Sequence, residues 1–191
     1  MTYRTALEVA DTFVGERVLL RTLQTQDTEA LLAAITESRE HFYPWYPSLY
    51  RKYSDIAETR DQIVRWQSRW LLREAFMLGI FQRAGENFLG CLGFMATNWE
   101  SRSFDLTYWL RQSAEGNGYM TEAVQLITDY LLAHLEAQRV EIRCDERNQR
   151  SAAIARKLSF RQEGCLRNAS MAADGVLENT LIFSRIPTDL H

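Results

Sequence analysis

The sequence predicts a mixed α/β domain whose elements run β-α-α-β-β-β-α-β-α-β-β over 191 residues. Three observations lead there. Short runs such as Arg139-Val140-Glu141-Ile142-Arg143-Cys144 alternate apolar and polar residues, the period of a strand. Other stretches place Met120, Val124, Ile127 and Leu131 at helical spacing, on one face. Turn residues separate these runs, Arg83–Asn87 and Asp174-Gly175 among them.

Residues 1–14 show no period and are expected to be peripheral to a single domain spanning 1–191. Arg17-Val18-Leu19-Leu20-Arg21 reads as the first strand. Asp27 precedes Leu31, Leu32 and Ile35, whose spacing predicts a helix. His41 to Tyr50 is dense in aromatic residues and holds Pro44 and Pro47, which forbid a regular helix throughout. A second helix is expected from Asp55 to about Arg73, with Ile63, Trp66 and Trp70 on one side. Phe76–Gln82 and Phe88–Ala96 read as a hairpin closed by Arg83–Asn87, followed by the strand Ser103–Leu110. The long helix is expected from Tyr119 to about Ala137, then the strand Arg139–Cys144 and a short helix Ser151–Leu158. Strands near Arg161–Asn168 and Val176–Arg185 complete the order.

The hydrophobic fraction of 46% and charged fraction of 25% are those of an ordinary globular domain. A net charge of −3 argues against a dedicated nucleic-acid binder. The three cysteines, Cys91, Cys144 and Cys165, are odd in number and widely spaced, against a disulfide framework or a zinc site. No basic segment leads into an apolar run at the start, and no run of about 18 apolar residues occurs. A reduced, cytoplasmic protein without membrane contact is the expectation. His41, His134 and His191 form no metal-ligand spacing, so no metal is expected; His134 is expected on the apolar face of the long helix, packed or capped.

The chemistry concentrates where the strand ending at Leu110 gives way to the long helix. Glu115-Gly116-Asn117-Gly118-Tyr119-Met120-Thr121 reads as a glycine-bearing loop running into a helix start. Unpaired backbone N–H groups there, with the helix dipole, make an anion site. Gly116 and Gly118 let the backbone approach a diphosphate. A Walker A loop is absent, and Gly116-Asn117-Gly118 lacks the third glycine of a dinucleotide fingerprint. Alone, the loop fits a turn and a helix start as well as a phosphate site.

Downstream come Cys144-Asp145-Glu146-Arg147-Asn148-Gln149-Arg150-Ser151, then Lys157-Leu158-Ser159-Phe160 and Glu163-Gly164. With these in order, the chain resembles the GNAT superfamily of acetyl-CoA-dependent N-acyltransferases, and within it the RimJ/RimL group that acetylates protein N-termini. The resemblance covers Arg17 to Arg185 and is strongest from Asp105 to Gly164. It implies a mostly antiparallel central sheet flanked by helices, with middle strands that splay around acetyl-CoA. The superfamily loop reads Gln/Arg-x-x-Gly-x-Gly/Ala. Gly118 keeps the central glycine, while Glu115 and Met120 depart from the pattern. Glu115 is expected to point to solvent, away from a diphosphate, and Met120 to offer only its N–H. The resemblance places Leu110, Glu115, Gly116, Asn117, Gly118, Tyr119, Met120, Thr121, Asn148 and Ser151 along the cofactor, Asn148 at the pantetheine or phosphate arm.

Acetyl transfer needs a neutral amine, a base, a donor for the thioester oxygen and an acid for the thiolate. A peptide α-amino group, with a pKa of about 8 against about 10.4 for lysine, is the easier acceptor at neutral pH. Asp105 is the first candidate base and reads equally as a solvated strand carboxylate; Glu141 is a second candidate. Many superfamily members use a tyrosine after the helix that starts here at Ser151, and no tyrosine follows Tyr130. Ser151 is the substitute acid, or an N-cap, or both. Cys144 offers a covalent route through an acetylated thiol, or is a small buried hydrophobe. Cys91 and Cys165 read as packing residues. Trp45, Tyr46 and Tyr50 are candidates for the wall of the acceptor site, or for ordinary packing. The resemblance also makes a homodimer an expectation. Three functions stay open: protein N-terminal acetylation by direct attack in a ternary complex, acetylation of a small amine (polyamine, amino acid or antibiotic), and acyl-CoA binding without turnover.

Overall fold

The computed structural model describes residues 8–46, 53–172 and 175–190. Tyr50 and Asp174 lie outside the described residues. One eight-stranded sheet runs through the molecule, in the order β1 (Thr12–Val14), β2 (Val18–Thr22), β3 (Phe76–Gln82), β4 (Phe88–Asn98), β5 (Ser103–Leu110), β6 (Arg139–Asp145), β8 (Leu177–Arg185), β7 (Arg161–Met171). Every neighbouring pair is antiparallel except β5 with β6. The expected mixed fold with a mostly antiparallel sheet is present. β1 is an addition: three residues carry no readable period, yet Thr12–Val14 pair with Leu19–Arg21 as an edge strand.

Helices cover both faces. α1 (Thr28–Glu37) and α3 (Ile56–Leu71) bury Leu31, Ala34, Ile35 and Ile63 against Leu23, Phe81, Phe88 and Cys91. Between them α2 (Arg39–Phe42) is a single helical turn that ends before Pro44. Asp55 caps α3, its carboxylate accepting from Glu58 N–H at 2.9 Å. Asp27 has another task. Its carboxylate binds the Arg21 guanidinium at 2.7 and 2.8 Å and the Gln24 N–H at 2.8 Å, joining β2 to the start of α1.

On the other face α4 (Tyr119–Ala133) and α5 (Gln149–Lys157) bury Met120, Ala123, Val124, Ile127, Leu131, Ala152 and Ala155 against β4, β5 and β6. α4 stops at Ala133, earlier than its apolar period suggests. His134 is its C-cap, stacked on Tyr130 at 5.3 Å, and Glu136 takes a left-handed φ of 50°. The apolar spacing continues through Leu135 and Ala137, which stay buried in the turn into β6. Cys165 is exposed, its sulfur 3.6 Å from Glu146 Oε2, and not the packing residue expected. No helix among the described residues is long and apolar enough to cross a membrane.

An aromatic cluster anchors the centre of this core. Phe94 is 1% exposed and stacks on Phe76 at 4.8 Å, with Trp70 and Phe104 meeting it edge-on. Phe94→Ala should therefore lower the unfolding free energy by about 3–5 kcal/mol, read as a fall in the urea midpoint. A loss below about 1 kcal/mol would mean that the neighbouring rings close the space.

Candidate active site at the parting of two strands

β5 and β6 are parallel neighbours, but their ladder covers only Ser103–Leu106 against Arg139–Ile142. Both strands continue, β5 to Leu110 and β6 to Asp145. β5 stays paired with β4 to its end and β6 with β8 to its end, so the two halves of the sheet diverge as a V. The expected splay of the middle strands is thereby located. It leaves the inner backbone edge of Thr107–Leu110 without a strand partner, which a folded protein must satisfy in another way.

Side chains gather in that gap. The Tyr108 hydroxyl lies 2.9 Å from Ser151 Oγ, joining β5 to the first turn of α5. The Tyr46 hydroxyl reaches the Tyr108 carbonyl at 3.4 Å. Cys144 sits beside Ser151, which hydrogen-bonds its thiol. Burial pushes the Cys144 thiol up, and the Ser151 bond offsets this only in part, so the sulfur is held protonated. Burial also raises Tyr108 and Tyr46. The V thus contains neutral hydroxyl and thiol donors. Ser151 is not the N-cap of α5: Asn148 is, its Oδ1 accepting from Ser151 N–H at 3.1 Å. That frees the Ser151 hydroxyl for Tyr108.

Asp105 is not joined to this group. Phe104, Leu106 and Tyr108 face α4, whereas Asp105 faces the opposite side, one residue before the ladder ends. Burial, then the charge of Glu141 alongside, raises its carboxyl above the usual range, against Arg143 and Arg139. Glu141 is buried and bound to both Arg139 and Arg143, which commits its charge. The V therefore separates two sets of groups. Tyr108, Ser151 and Cys144 lie on the α4–α5 side. Asp105 lies on the side of α1 and α3, from which Tyr46 also approaches.

The mouth of the V is the loop from Arg111 to Gly118 and the N-terminus of α4. Gly118 is the N-cap in a left-handed conformation, φ 77°, and Gly116 has φ 76°. The first backbone bond of the helix runs from Glu122 N–H to the Gly118 carbonyl at 3.1 Å. The N–H groups of Tyr119, Met120 and Thr121 are then without acceptors inside the helix and form an anion site. The Met120 side chain is buried in the core, as expected. A groove of about 350 Å³ runs past Gly118 and Thr121 to Lys157. Asn117 folds its side chain onto the loop's own carbonyls, at 3.0 Å from Glu115 O. Leu110 ends β5 opposite Gly90, and the half-buried Trp45 follows α2 with its N–H on the Phe42 carbonyl.

Two distant segments hold this loop, and neither was legible in the sequence. Arg17 donates from Nε to Glu122 at 2.9 Å and from Nη1 to the Asn117 carbonyl at 2.8 Å. Its own N–H and that of Val18 also reach Glu122, at 2.8 and 3.3 Å. Burial opposes the Glu122 charge, but these donors outweigh it and hold the carboxyl below the usual range. At the other end, Ser38 Oγ accepts from Gln112 N–H at 2.8 Å, and Glu37 binds Ser113 N–H and the Arg111 guanidinium. Glu115 does not point to solvent. It binds His41 at 2.7 Å and Arg150 at 3.0 Å. A separation of about a hundred residues gives Arg17 and Glu122 no shared local pattern; Glu122 alone offered a hint, one helical turn after Gly118.

A family model described as the acetyltransferase (GNAT) domain matches residues 17–161. The "Probable N-acetyltransferase YjcK" of Bacillus subtilis (strain 168) is 27% identical over 176 residues, 92% of this chain and 97% of that one. The ribosomal-protein-serine acetyltransferase of Escherichia coli (strain K12) is 27% identical over 112 residues, 59% of this chain and 61% of its own. The solved RimL ribosomal L7/L12 α-N-protein acetyltransferase in complex with coenzyme A shares the fold, with a TM-score of 0.82 at 24% identity, over 91% of this chain and 96% of that one.

The Arg111 guanidinium bonded to Glu37 holds that carboxyl down to about 2. A carboxyl lowered on folding stabilises the protein above its unfolded pKa of about 4.3 and loses that contribution as pH falls toward the folded value. The urea midpoint should thus drop between about pH 5 and about pH 2, and drop less in Glu37→Gln. Identical slopes in the two proteins would show that the pair does not anchor the loop.

Proposed function

The chain belongs to the acetyltransferase (GNAT) family, and we propose that it moves an acetyl group from acetyl-CoA to the α-amino group of a protein N-terminus by direct attack in a ternary complex. The observation that carries this reading is the V between β5 and β6, with an anion site at its mouth and proton donors inside it.

The residues present fit acetyl-CoA. The N–H groups of Tyr119, Met120 and Thr121 and the left-handed glycines suit a diphosphate, and the groove toward Lys157 accommodates a nucleotide end. The unpaired edge of Thr107–Leu110 offers backbone groups to a pantetheine arm, which is amide-bearing and extended. Acetyl-CoA supplies the activated acyl group as a thioester.

The chain's own groups would act as follows. Backbone N–H groups on the free edge of β5 stabilise charge developing on the carbonyl oxygen. Ser151, hydrogen-bonded to Tyr108, donates a proton toward the departing sulfur, and Tyr108 re-supplies it. The tyrosine that the family carries after this helix is thus matched by one arriving from β5. Asp105, on the opposite side of the sheet and with a raised pKa, takes the proton from the amine, directly or through water. Cys144 is held protonated, which disfavours a covalent acetyl-thiol and favours direct attack. Tyr46, which reaches the Tyr108 carbonyl, and Trp45, its neighbour in the chain, would line the acceptor approach. The named activities of the ribosomal-protein-serine acetyltransferase and of RimL favour a peptide N-terminus over a small amine.

Calorimetric titration with acetyl-CoA tests the cofactor. We expect micromolar binding that Gly118→Asp abolishes. At φ 77° a side chain is strained, its Cβ would stand 3.2 Å from the Arg17 guanidinium, and its charge would oppose the phosphates. Normal binding by Gly118→Asp would remove the cofactor from this loop. A peptide screen starting with Ser- and Ala-initiated sequences, run against polyamines and amino acids, tests the acceptor. Asp105→Asn should leave acetyl-CoA affinity intact and erase the acid limb of the pH–rate profile, a limb lying above the ordinary carboxylate range. An unchanged limb would take Asp105 out of the mechanism.

A further inference from the structure

Three segments that must meet for a ternary reaction converge on one carboxylate. Glu115 belongs to the loop at the mouth of the V. Its Oε2 lies 3.0 Å from Arg150 Nη1, and its Oε1 lies 2.7 Å from His41 Nε2. Arg150 directly precedes Ser151 in the first turn of α5. His41 sits in α2, four residues before Trp45 and five before Tyr46. Arg150 Nη1 is also 3.3 and 3.4 Å from the two His41 ring nitrogens, so the three side chains close into one cluster.

We propose that Glu115 is a positioning residue: it sets the distance between the cofactor loop, the Ser151 turn and the acceptor-side helix α2, through Arg150 and His41. Inside the V, Tyr108 ties β5 to Ser151 at 2.9 Å; at the mouth, Glu115 ties the loop after β5 to the residue before Ser151. The two ties share α5 and span the same gap, so together they fix the tilt of its first turn and hence the aim of the Ser151 hydroxyl. This accounts for an acidic residue beside a phosphate site. The Glu115 carboxylate is engaged by Arg150 and His41. The chemistry favours this role over a stabilising one. The Arg150 side chain is 70% exposed, and ion pairs of such exposure add little to global stability. A displacement of about 1 Å in a positioned group, by contrast, costs as much as a hundredfold in rate.

This inference rests on the acetyltransferase reading, and the test separates the two. The wild-type protein is first shown to bind acetyl-CoA and to acetylate a peptide or amine; failure there overturns the functional reading. Glu115→Arg, Arg150→Glu and the double exchange are then compared by kcat, by KM for each substrate, and by melting midpoint. Each single reversal should lower kcat about tenfold, with acetyl-CoA affinity no weaker in Glu115→Arg, and the exchange should recover most of the loss, as coupled pairs do. Glu115→Gln, which keeps size and removes charge, should lower kcat at an unchanged melting midpoint. His41→Ala should raise the acceptor KM. Wild-type kcat in Glu115→Gln and in both single reversals, or a double exchange that loses the product of the single losses, would overturn the proposal; so would losses that track the melting midpoint alone.

Discussion

The structure depends on a single failure of strand pairing. β5 and β6 leave each other after Leu106 and Ile142, although each remains paired on its outer side. Parallel neighbours need a crossover, and α4 is that crossover, packed across Phe104, Leu106 and Val140. The crossover explains why a helix N-terminus stands at the carboxyl end of β5. The divergence explains why there is room beside it. An unpaired strand edge would ordinarily be costly. Here the cost is met partly by Tyr46, whose hydroxyl reaches the Tyr108 carbonyl, and the remaining groups are those the proposed function assigns to an amide-bearing ligand.

A gap of this kind works only if its rims are stiff. Arg17 is the stiffest point: four donors from Arg17 and Val18 reach Glu122 or Asn117, while the guanidinium lies 5.7 Å over the Tyr119 ring. A Cβ at Gly118 would stand 3.2 Å from the same guanidinium, so the left-handed backbone and this neighbour both favour glycine there. On the far rim Asn148 caps α5 through Ser151 N–H and leaves the serine hydroxyl to Tyr108. Backbone capping and side-chain chemistry are therefore divided between Asn148 and Ser151, and neither competes for the other's hydrogen bond.

What could be read from the sequence follows the range of the interaction responsible. Strands β3 and β5 match their predicted bounds, because alternation and flanking turn residues are local. The loop from Glu115 to Thr121 was legible for the same reason: a glycine pair before an amphipathic helix is a contiguous signal. β1 was not, since three residues carry no period and their strand exists only by pairing with β2. The end of α4 was misread because the apolar period continues into Leu135 and Ala137, which are buried after the helix has stopped. Arg17, Tyr108 and Arg150 gained their roles from partners distant in the chain, Tyr108 from Ser151 and Arg150 from Glu115. Ser151 looked like a cap because serine caps helices, but Asn148 stood three residues earlier with the same ability and the correct geometry.

The same distinction separates the two substrates. The proposed cofactor side of the V is built from N–H groups, glycine angles and a strand edge, features that tolerate extensive side-chain change. Glu115 and Met120 depart from the family's loop pattern without disturbing it, because one turns to Arg150 and His41 and the other to the core. The proposed acceptor side is built from side chains: Asp105, Tyr46, Trp45 and the cluster around His41. A backbone-built site therefore constrains the sequence less than a side-chain-built one. In the proposed mechanism the hydroxyl beside Ser151 comes from Tyr108 of β5, on the opposite arm of the V, so what the reaction requires there is a position in space rather than a fixed place in the chain.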